Sequence, residues 1–476
     1  MPEFLPAGEF RAYGGVRYRL FRWGIVAVDR HPNHCLRRLL AETGWTGDRL
    51  ARAVNQIGTE CGLSLNYQRW SVSQWLAGTQ PRPPAPTLLV EALSRELGRT
   101  ISPADAGLDD RTAAAPQPTL TDLQGSLDGR LVSLARHSGD PDLALPCDLS
   151  VWTAVLGERH RRSGARSRTH SARPGAGERL RPPSVDGSAA MVQVFSAADQ
   201  LYGGGQARTA LAVYLAETTA PMLRAPGPPS LRSQALTTAA QLAYLCGFMH
   251  FDDDLQGLAQ RYYLTSLELA EAADDPVGQS LALRGLSVQA HALHRPGRAR
   301  DLAQAAVDRS SGQAPPALRA SLLGQLAVAE AAGGNRPAVA DALRRAERAL
   351  SGAPDASSAV GAYNLASLDH QRGVTAVHAE DWPAAVAALR GSLRRRPPTE
   401  PRSRALVQAR LARLQYRLGH AEAAMATWEE FLDSSGHVLS RRVEREVEEL
   451  VRLVRRHRGR PVADRLLQRA DRRRTG

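Results

Sequence analysis

The second half of the chain repeats a helical pattern with a period of roughly 40 residues. From residue 188 onwards the sequence is rich in Ala and Leu, and pairs of helically patterned segments begin near 230, 276, 315, 357, 401 and 438. A helix pair of this size cannot bury its apolar face alone, so successive pairs stack on one another into a superhelix. The repeat therefore predicts an all-α fold with an α-solenoid over residues 188–476.

Small residues recur at fixed places within these pairs. Gly373, Ala385 and Pro397 lie twelve residues apart, and Gly247 and Ala259 have the same separation. A small side chain lets one helix lie against its neighbour, and a bulky residue four positions later fills the adjacent gap. The pattern resembles tetratricopeptide repeats (TPR), and the resemblance implies a TPR-like solenoid.

Residues 31–110 are predicted to form a compact unit of short helices. The segments "PNHCLRRLLAETG", "TGDRLARAVNQIGTECG", "NYQRWSVSQWLAGTQPRPP" and "APTLLVEALSRELG" each place apolar residues at helical spacing. Thr46 is predicted to cap the second helix, with Asp48 in its first turn. In the third helix Val72 and Trp75 are predicted to face inward, because they share one face at helical spacing.

The segments outside these two regions show weaker patterns. Residues 1–30 have no clean period and are predicted to be a disordered extension. Residues 111–187 are rich in Pro, Gly, Ser and Arg and are predicted to form a linker with weak helices near 120–136 and 149–160. No segment shows the alternation of apolar and polar residues that is typical of a β-strand, so no strand is predicted.

The positive charge of the chain is concentrated in two places. The net charge is +13, and all 61 basic residues are arginine. Residues 158–183 carry eight arginines against two acids, and residues 441–476, a basic C-terminal tail, carry thirteen against six. These two segments are interpreted either as solvated charge or as non-specific contacts to nucleic-acid phosphate.

The cysteines and the hydropathy pattern indicate the cellular compartment in which the protein is expected. The four cysteines have no CxxC or CxxH spacing, which argues against a zinc site or a disulfide framework and fits a reducing compartment. The most apolar run, residues 239–249, is too short to span a bilayer. A cytoplasmic protein without membrane contact is expected.

Two motifs contain residues typical of chemical sites, but neither is predicted to be one. "HFDDD" at 250–254 contains possible metal ligands, but it falls at a turn between helices, where an aspartate is predicted to cap the next helix. "YGGGQ" at 202–206 lacks the spacing of a phosphate-binding loop and is predicted to be a turn. Neither an enzyme activity nor a metal or other cofactor is predicted.

The second to fourth helices resemble the helix-turn-helix domain of the Cro/repressor-type (XRE) family. The match lies in "DRLARAV" and "SVSQWLAGTQPRPPAPTLLVEALSRELG", although "NQIGTECGLSLN" is longer than the turn that the family has there. The resemblance implies that the third helix enters the major groove of double-stranded DNA. The implied DNA-binding residues are Gln68, Arg69, Trp70, Ser71, Ser73, Gln74 and Arg82, the last near phosphate.

The layout of the chain resembles a group of actinobacterial transcriptional regulators that join such a domain to a TPR array. The resemblance rests on "YGGGQA" at 202–207, "YLCGFMHFDD" at 244–253 and "AQRYY" at 259–263. It implies transcriptional control. The hypothesis is a cytoplasmic, nucleoid-associated regulator whose repeats bind a peptide, protein or small-molecule signal, and a homodimer is expected because one recognition helix reads only a few base pairs. The alternative is a TPR interaction scaffold without sequence-specific DNA binding, which the near-neutral charge of residues 31–110 favours.

Overall fold

The chain divides into two compact units, residues 1–59 with 64–117 and residues 118–476 with 60–63. The computed structural model describes residues 12–13, 16–21, 24–27, 32–60, 63–82, 84–97, 101, 103–108, 126–139, 147, 155, 179–310, 312–351 and 363–475. Most of these residues are helical, which confirms the predicted all-α fold. Within these ranges, no helix combines the length and the apolar character needed to cross a membrane.

A small antiparallel sheet precedes the helices. Its strands are β1 (Ala12–Tyr13), β2 (Val16–Phe21) and β3 (Gly24–Ala27). β2 pairs antiparallel with β3, with Phe21 opposite Gly24. The prediction that no segment shows β-alternation is therefore wrong for "VRYRLF". Apolar and charged residues alternate there, but the stretch is short. The strands lie within the extension predicted to be disordered, and the rest of residues 1–30 is outside the described residues.

The first unit contains the helices that the sequence predicts for residues 31–110. They are α1 (His34–Thr43), α2 (Gly47–Glu60), α3 (Arg69–Leu76) and α4 (Ala85–Leu97). The predicted cap of α2 is confirmed, because the backbone N–H of Arg49 donates to Thr46 Oγ1 at 3.2 Å. The apolar stripes of α1, α2 and α4 are buried and form the core of the unit.

The second unit begins inside the segment predicted to be a linker. Its first helices are α5 (Leu127–Gly139), α6 (Pro182–Tyr202), α7 (Gly204–Tyr214) and α8 (Ala220–Arg224), with a π-helical turn at Leu215–Thr219. Leu131 and Leu134 of α5 are buried in the same core as Tyr262 of the repeats, so α5 belongs to this unit. α5 overlaps the helix predicted near 120–136 of the linker segment, whereas the helix predicted near 149–160 lies outside the described residues, Val155 excepted.

The rest of the second unit is a series of packed helix pairs. The pairs are α9 (Pro229–Asp252) with α10 (Gln256–Ala272), α11 (Pro276–Ala292) with α12 (Pro296–Ser310), α13 (Pro316–Ala332) with α14 (Arg336–Leu350), α15 (Leu365–His378) with α16 (Trp382–Arg395), α17 (Pro401–Arg417) with α18 (Ala421–Ser435), and α19 (Arg441–Val454) with α20 (Pro461–Thr475). Five pairs begin within three residues of the predicted starts. The start predicted near 357 falls among residues outside the described ranges, and α15 itself begins at Leu365.

A shared backbone feature joins the two helices in all six of these pairs. In each connection one residue has a positive φ, and the second helix begins two residues later. These residues are Asp254, His294, Gly334, Glu380, Gly419 and Gly459. The left-handed conformation, which glycine adopts most readily, thus recurs at the same place in successive pairs. This recurrence supports a repeated structural unit.

The predicted small-residue contacts are present. A Cβ atom on Gly247 would lie 2.9 Å from Cδ1 of Tyr263 and 3.2 Å from the carbonyl oxygen of Ala259. A Cβ atom on Gly373 would lie 2.8 Å from Cδ2 of Leu389. Tyr263 and Leu389 each follow the small residue of the second helix by four positions, so they are the bulky residues that fill the gap.

The beginning and the end of the second unit contact each other. Arg402 Nη1 of α17 donates to Asp199 Oδ1 of α6 at 2.5 Å and lies 3.6 Å from Oδ2 of Asp252, at the end of α9. All three side chains are buried, and we call them the closure cluster. The superhelix therefore closes on itself.

The "YGGG" motif forms the second part of this contact. The turn predicted for 202–206 is confined to Gly203, which has a φ of +85°, because Tyr202 ends α6 and Gly204 begins α7. The N–H of Gly204 donates to Asp252 Oδ2 at 3.1 Å, and the N–H of Gly205 donates to the carbonyl oxygen of Leu439 at 3.0 Å. A Cβ atom on Gly204 would lie 2.5 Å from the carbonyl oxygen of Met249, so only glycine permits this close approach.

The prediction that an aspartate of "HFDDD" caps the next helix is wrong. Asp254 takes the left-handed position of the turn, and the cap position itself is Leu255, which has no side-chain acceptor. The aspartates instead pair with arginines: Asp253 with Arg208 at 2.6 Å, and Asp254 with Arg445. Within the described residues no cluster of His, Cys, Asp and Glu has the geometry to hold a metal ion.

The segment 441–476 is a helix pair and not a solvated tail. Val447 of α19 and Leu466 of α20 are completely buried in the last core cluster. Arg473 donates to Glu444 at 2.6 Å and to the carbonyl oxygen of Val438 at 2.8 Å. Several arginines of this segment thus form intramolecular ion pairs, whereas Arg455, Arg456, Arg458 and Arg460, between the two helices, are exposed.

Candidate nucleic-acid interface

The packing of α2 against α3 positions the candidate interface. Leu50, Val54 and Ile57 of α2 are buried. A Cβ atom on Gly47, at the start of α2, would lie 3.4 Å from Cγ1 of Val72 in the middle of α3. The first turn of α2 therefore lies against α3, as expected for the two helices of a helix-turn-helix pair.

The connection between α2 and α3 is long but held at its end. Asn55 Nδ2 donates to the carbonyl oxygen of Tyr67 at 2.8 Å, and the N–H of Tyr67 donates to Asn55 Oδ1 at 2.8 Å. The ring of Tyr67 contacts Trp75 edge to face, with 5.2 Å between the ring centroids. These contacts fix the chain immediately before α3 begins.

The inward residues of α3 are those that the sequence predicts. Val72 is completely buried and Trp75 is nearly so. Ser71 is also buried, and its Oγ accepts from the N–H of Gln68 at 3.3 Å. Ser71 therefore stabilises the helix N-terminus and lies away from the exposed face, which corrects its assignment as a DNA-binding residue.

The exposed face of α3 collects the other candidates. Gln68, Arg69, Trp70, Ser73 and Gln74 are all exposed, and Trp70 has 59% of its surface accessible. The hydroxyl of Ser73 donates to the carbonyl oxygen of Arg69 at 3.0 Å. All of these residues except Gln74 line a shallow depression together with a carboxylate from the first turn of α2. The tryptophan ring can stack, the guanidinium can donate hydrogen bonds, and the two amides can both donate and accept them. These side chains do not form a nucleophile and base pair.

Arg82 lies apart from this group along the chain. It is exposed in the turn between α3 and α4, and its carbonyl oxygen accepts from the N–H of Ala85 at 3.0 Å. This bond holds the backbone at the start of α4 while the guanidinium remains accessible. The position suits a phosphate contact, for which no base edge has to be reached.

Asn33 is a positioning residue that sequence reasoning missed. Its Oδ1 accepts from the N–H of Leu36 at 2.8 Å, which caps α1. Its own N–H donates to the carbonyl oxygen of Leu76 at 3.1 Å, and its Nδ2 donates to that of Ala106 at 2.9 Å. Asn33 thus joins the end of α3 to α1 and to the turn after α4. The available signal was an asparagine directly before a helical pattern.

The charged side chains around the interface are largely balanced. Arg52 pairs with Asp48 at 2.9 Å, and Arg49 lies 3.7 Å from Glu96 and 5.1 Å from the centroid of the Trp45 ring. Pairs this exposed contribute little to stability. They also cancel charge, so attraction of a polyanion to this unit depends on a few side chains such as Arg69 and Arg82.

One family of known proteins matches this part of the chain. Residues 36–109 match the family described as the SP15 N-terminal domain. The matched range covers α1 to α4 and the turn that Asn33 holds, so it corresponds to one structural unit. Among the curated proteins, no match was found.

Proposed function

We propose that the chain is a DNA-binding transcriptional regulator whose first unit reads DNA through α3 and whose second unit receives a signal. The observation that carries the proposal is the exposed face of α3, where Arg69, Trp70, Ser73 and Gln74 lie side by side. Val72 and Trp75 hold the opposite face in the core. A rigid helix with polar and aromatic side chains on one face is what major-groove recognition requires.

The side chains of this face have different capacities for recognition. The guanidinium of Arg69 can pair with N7 and O6 of guanine, and the amide of Gln74 with N6 and N7 of adenine. Ser73 can serve several bases or a phosphate, and Trp70 can contact a thymine methyl group or a sugar. Arg82 is assigned to phosphate, which contributes affinity without sequence information.

The double substitution Arg69→Ala with Gln74→Ala is expected to abolish selective binding while the fold remains intact. Each lost base contact should reduce discrimination between operator variants by about 1–3 kcal/mol. Operators would first be defined by genome-wide footprinting of the full chain, and affinities then measured by fluorescence anisotropy. Arg38→Ala, an exposed arginine of α1, is the matched control.

Salt dependence separates the two kinds of contact. Arg82→Ala should weaken binding to all sequences about equally and flatten the salt dependence, because it removes one released counterion. If the Arg69/Gln74 variant bound its operator as tightly and selectively as the parent, α3 would not be the recognition helix.

The same face also offers an argument for the alternative function, an interaction scaffold. Trp70 is an exposed aromatic residue, and Asp48 lies in the depression beside it, where a carboxylate would repel DNA phosphate. Aromatic residues of this kind anchor protein interfaces. Footprinting distinguishes the two functions, since a scaffold gives no discrete motif-bearing peaks.

A regulator of this kind is proposed to act as a homodimer in the cytoplasm, associated with the nucleoid. One recognition helix reads only a few base pairs, so two copies are needed on half-sites about one helical turn apart. The repeats of the second unit are the proposed contact between the copies. Sedimentation velocity should show a dimer on operator DNA; a monomer both alone and on DNA would contradict this prediction.

A further inference from the structure

The second unit contains a partly open cavity of ≈ 260 Å³. Its walls come from α6, from the first helices of five pairs (α9, α11, α15, α17 and α19), and from Tyr363, Arg396 and Glu400 in the connections next to α15 and α17. The closure cluster lies beside it, because Asp199 and Arg402 both line the cavity. Side chains from both sides of the closure therefore line this space.

Arginines outnumber carboxylates on the cavity wall. The lining arginines are Arg284, Arg396, Arg402 and Arg442, and the lining carboxylates are Asp199 and Glu400. Two of these arginines are neutralised: the closure cluster uses Arg402, and Glu400 pairs with Arg396. Arg442 lies 3.7 Å from Asp252, which is already shared with Arg402. The wall is therefore electropositive.

Two of the arginines keep unused donors. The Nε atoms of Arg284 and Arg396 are buried and have no hydrogen-bond partner among the described residues. Arg396 is 94% buried, since its exposed fraction is 6%. Arg284 donates from Nη1 to the hydroxyl of Tyr244 at 3.2 Å, which leaves its other edge for a ligand. A buried N–H without an acceptor is costly, so an acceptor is expected in this space.

His370 on the same wall is affected by the positive charge of the neighbouring arginines. Arg410 donates from Nη1 to Nε2 of His370 at 3.2 Å, which requires a neutral imidazole. Burial, and next the charges of Arg410 and Arg396, hold the pKa of His370 well below its ordinary value. The histidine thus contributes no positive charge of its own, and the excess charge of the cavity is that of its arginines.

The rest of the wall combines polar side chains, among them Gln200 and Gln371, with an apolar part. Tyr244, Leu245, Phe248 and Leu406 line the cavity, and the guanidinium of Arg402 lies 4.9 Å from the centroid of the Phe248 ring. A water molecule occupies roughly 30 Å³, so the cavity has room for a molecule of several non-hydrogen atoms. Such a combination of apolar walls and a few convergent polar groups is typical of small-molecule sites.

We infer that this cavity binds a small organic anion, whose carboxylate or phosphate lies against Arg284 and Arg396 and whose apolar part lies against Tyr244, Phe248 and Leu406. The inference deepens the proposed signal-receiving role of the second unit, but it depends only on that unit and not on DNA binding. An anion held here would contact helices on both sides of the closure. Binding would therefore favour the closed superhelix.

The test is isothermal titration calorimetry of the full chain with three probes. Benzoate and phenyl phosphate present the two anionic groups on one apolar ring, and benzamide is the neutral control. At least one anion should bind saturably with a millimolar or lower Kd, at one site per chain, whereas benzamide should not. The stronger of the two anions identifies the charged group.

Two variants and a control locate the site. Arg396→Gln and Arg284→Gln should each weaken binding of the preferred anion by about tenfold to a hundredfold, the range for a lost hydrogen bond to a charged group. Arg394→Gln, an exposed arginine two residues before Arg396, should leave it unchanged. Circular dichroism verifies folding, and Arg284→Gln keeps the test valid if Arg396→Gln is unstable.

Three results would overturn the inference. They are the absence of saturable binding of both anions at millimolar concentrations, equal binding of benzamide, and the same loss of affinity in Arg394→Gln as in the cavity variants. None of them depends on an operator, so a failure here is distinct from a failure of the DNA-binding proposal.

Discussion

Replacing Arg402 with methionine should lower the free energy of unfolding of the second unit by about 3–5 kcal/mol. Methionine retains most of the side-chain volume but removes the cation that Asp199 and Asp252 share, which leaves Asp252 only the longer contact to Arg442 at 3.7 Å. Burial lowers the pKa of Arg402, but Asp199 and Asp252 outweigh it and raise the pKa, so the guanidinium is charged in the closed state. The measurement is urea-induced unfolding, followed by circular dichroism.

A second substitution tests the cause of this loss. In the Arg402→Met background, Asp199→Asn should restore part of the stability, because it removes one of the two buried charges. Arg417→Met, at an exposed position of the same helix, should change the unfolding free energy far less. If Arg402→Met unfolded within about 1 kcal/mol of the parent, the ion pair would not hold the superhelix closed.

Acidification should destabilise the repeats before most carboxylates are protonated. Burial lowers the pKa of His250 to about 3, and burial together with His378 lowers that of His291 to about 4. The pKa of His370 is lowered in the same direction. Each folded pKa lies below the unfolded value of about 6.5, so the unfolded chain binds more protons below that pH. Stability that is present above pH 6.5 is therefore lost as the pH falls.

Two buried carboxylates oppose this effect. Burial raises the pKa of Asp254 to about 6 and that of Asp199 in the same direction, so the folded chain binds their protons more readily in acid. Burial also lowers the pKa of His378, so the imidazoles outnumber the two carboxylates. A net difference of one proton is worth about 1.4 kcal/mol per pH unit, so the unfolding free energy should fall by on the order of 3 kcal/mol between pH 7 and pH 4.5.

A single histidine variant checks the assignment. His250 Nδ1 lies 2.8 Å from the carbonyl oxygen of Cys246, and an asparagine amide can make the same bond without binding a proton. His250→Asn should therefore reduce the pH slope below pH 6.5 by about 1.4 kcal/mol per unit. His420→Asn, at an exposed position, is the control. A slope that is unchanged in His250→Asn would remove this residue from the explanation.

The parts of the fold that depend on local chemistry could be predicted from the sequence. Prolines at the first turns mark where helices begin, and Pro276 and Pro401 are at the predicted starts. Gly373 and Ala385 identified a helix-to-helix contact, because a close approach excludes large side chains at both positions. The inward face of α3 followed from the spacing of Val72 and Trp75.

The parts that depend on distant contacts could not be predicted in this way. The arginines that pair with Asp252 and Asp254 come from α17 and α19, which reach them only because the superhelix closes. No local pattern contains that information, so the aspartates were interpreted as caps. Ser71 shows that prediction also fails over short distances in the chain. Helical spacing does not reveal whether a serine side chain accepts a hydrogen bond from the backbone at the helix N-terminus.

Closure also bears on how the second unit unfolds. A linear array of repeats can fray from either end, because each terminal repeat has a neighbour on one side only. Here the N–H of Leu439, just before α19, donates to the carbonyl oxygen of Tyr202, at the end of α6. The closure cluster lies close by, so α6 and the segment before α19 stabilise each other against fraying. Neither end can open alone without exposing buried charge. Amide hydrogens of α6 and α19 should consequently exchange with solvent as slowly as those in the middle of the array, in one cooperative opening of the whole ring.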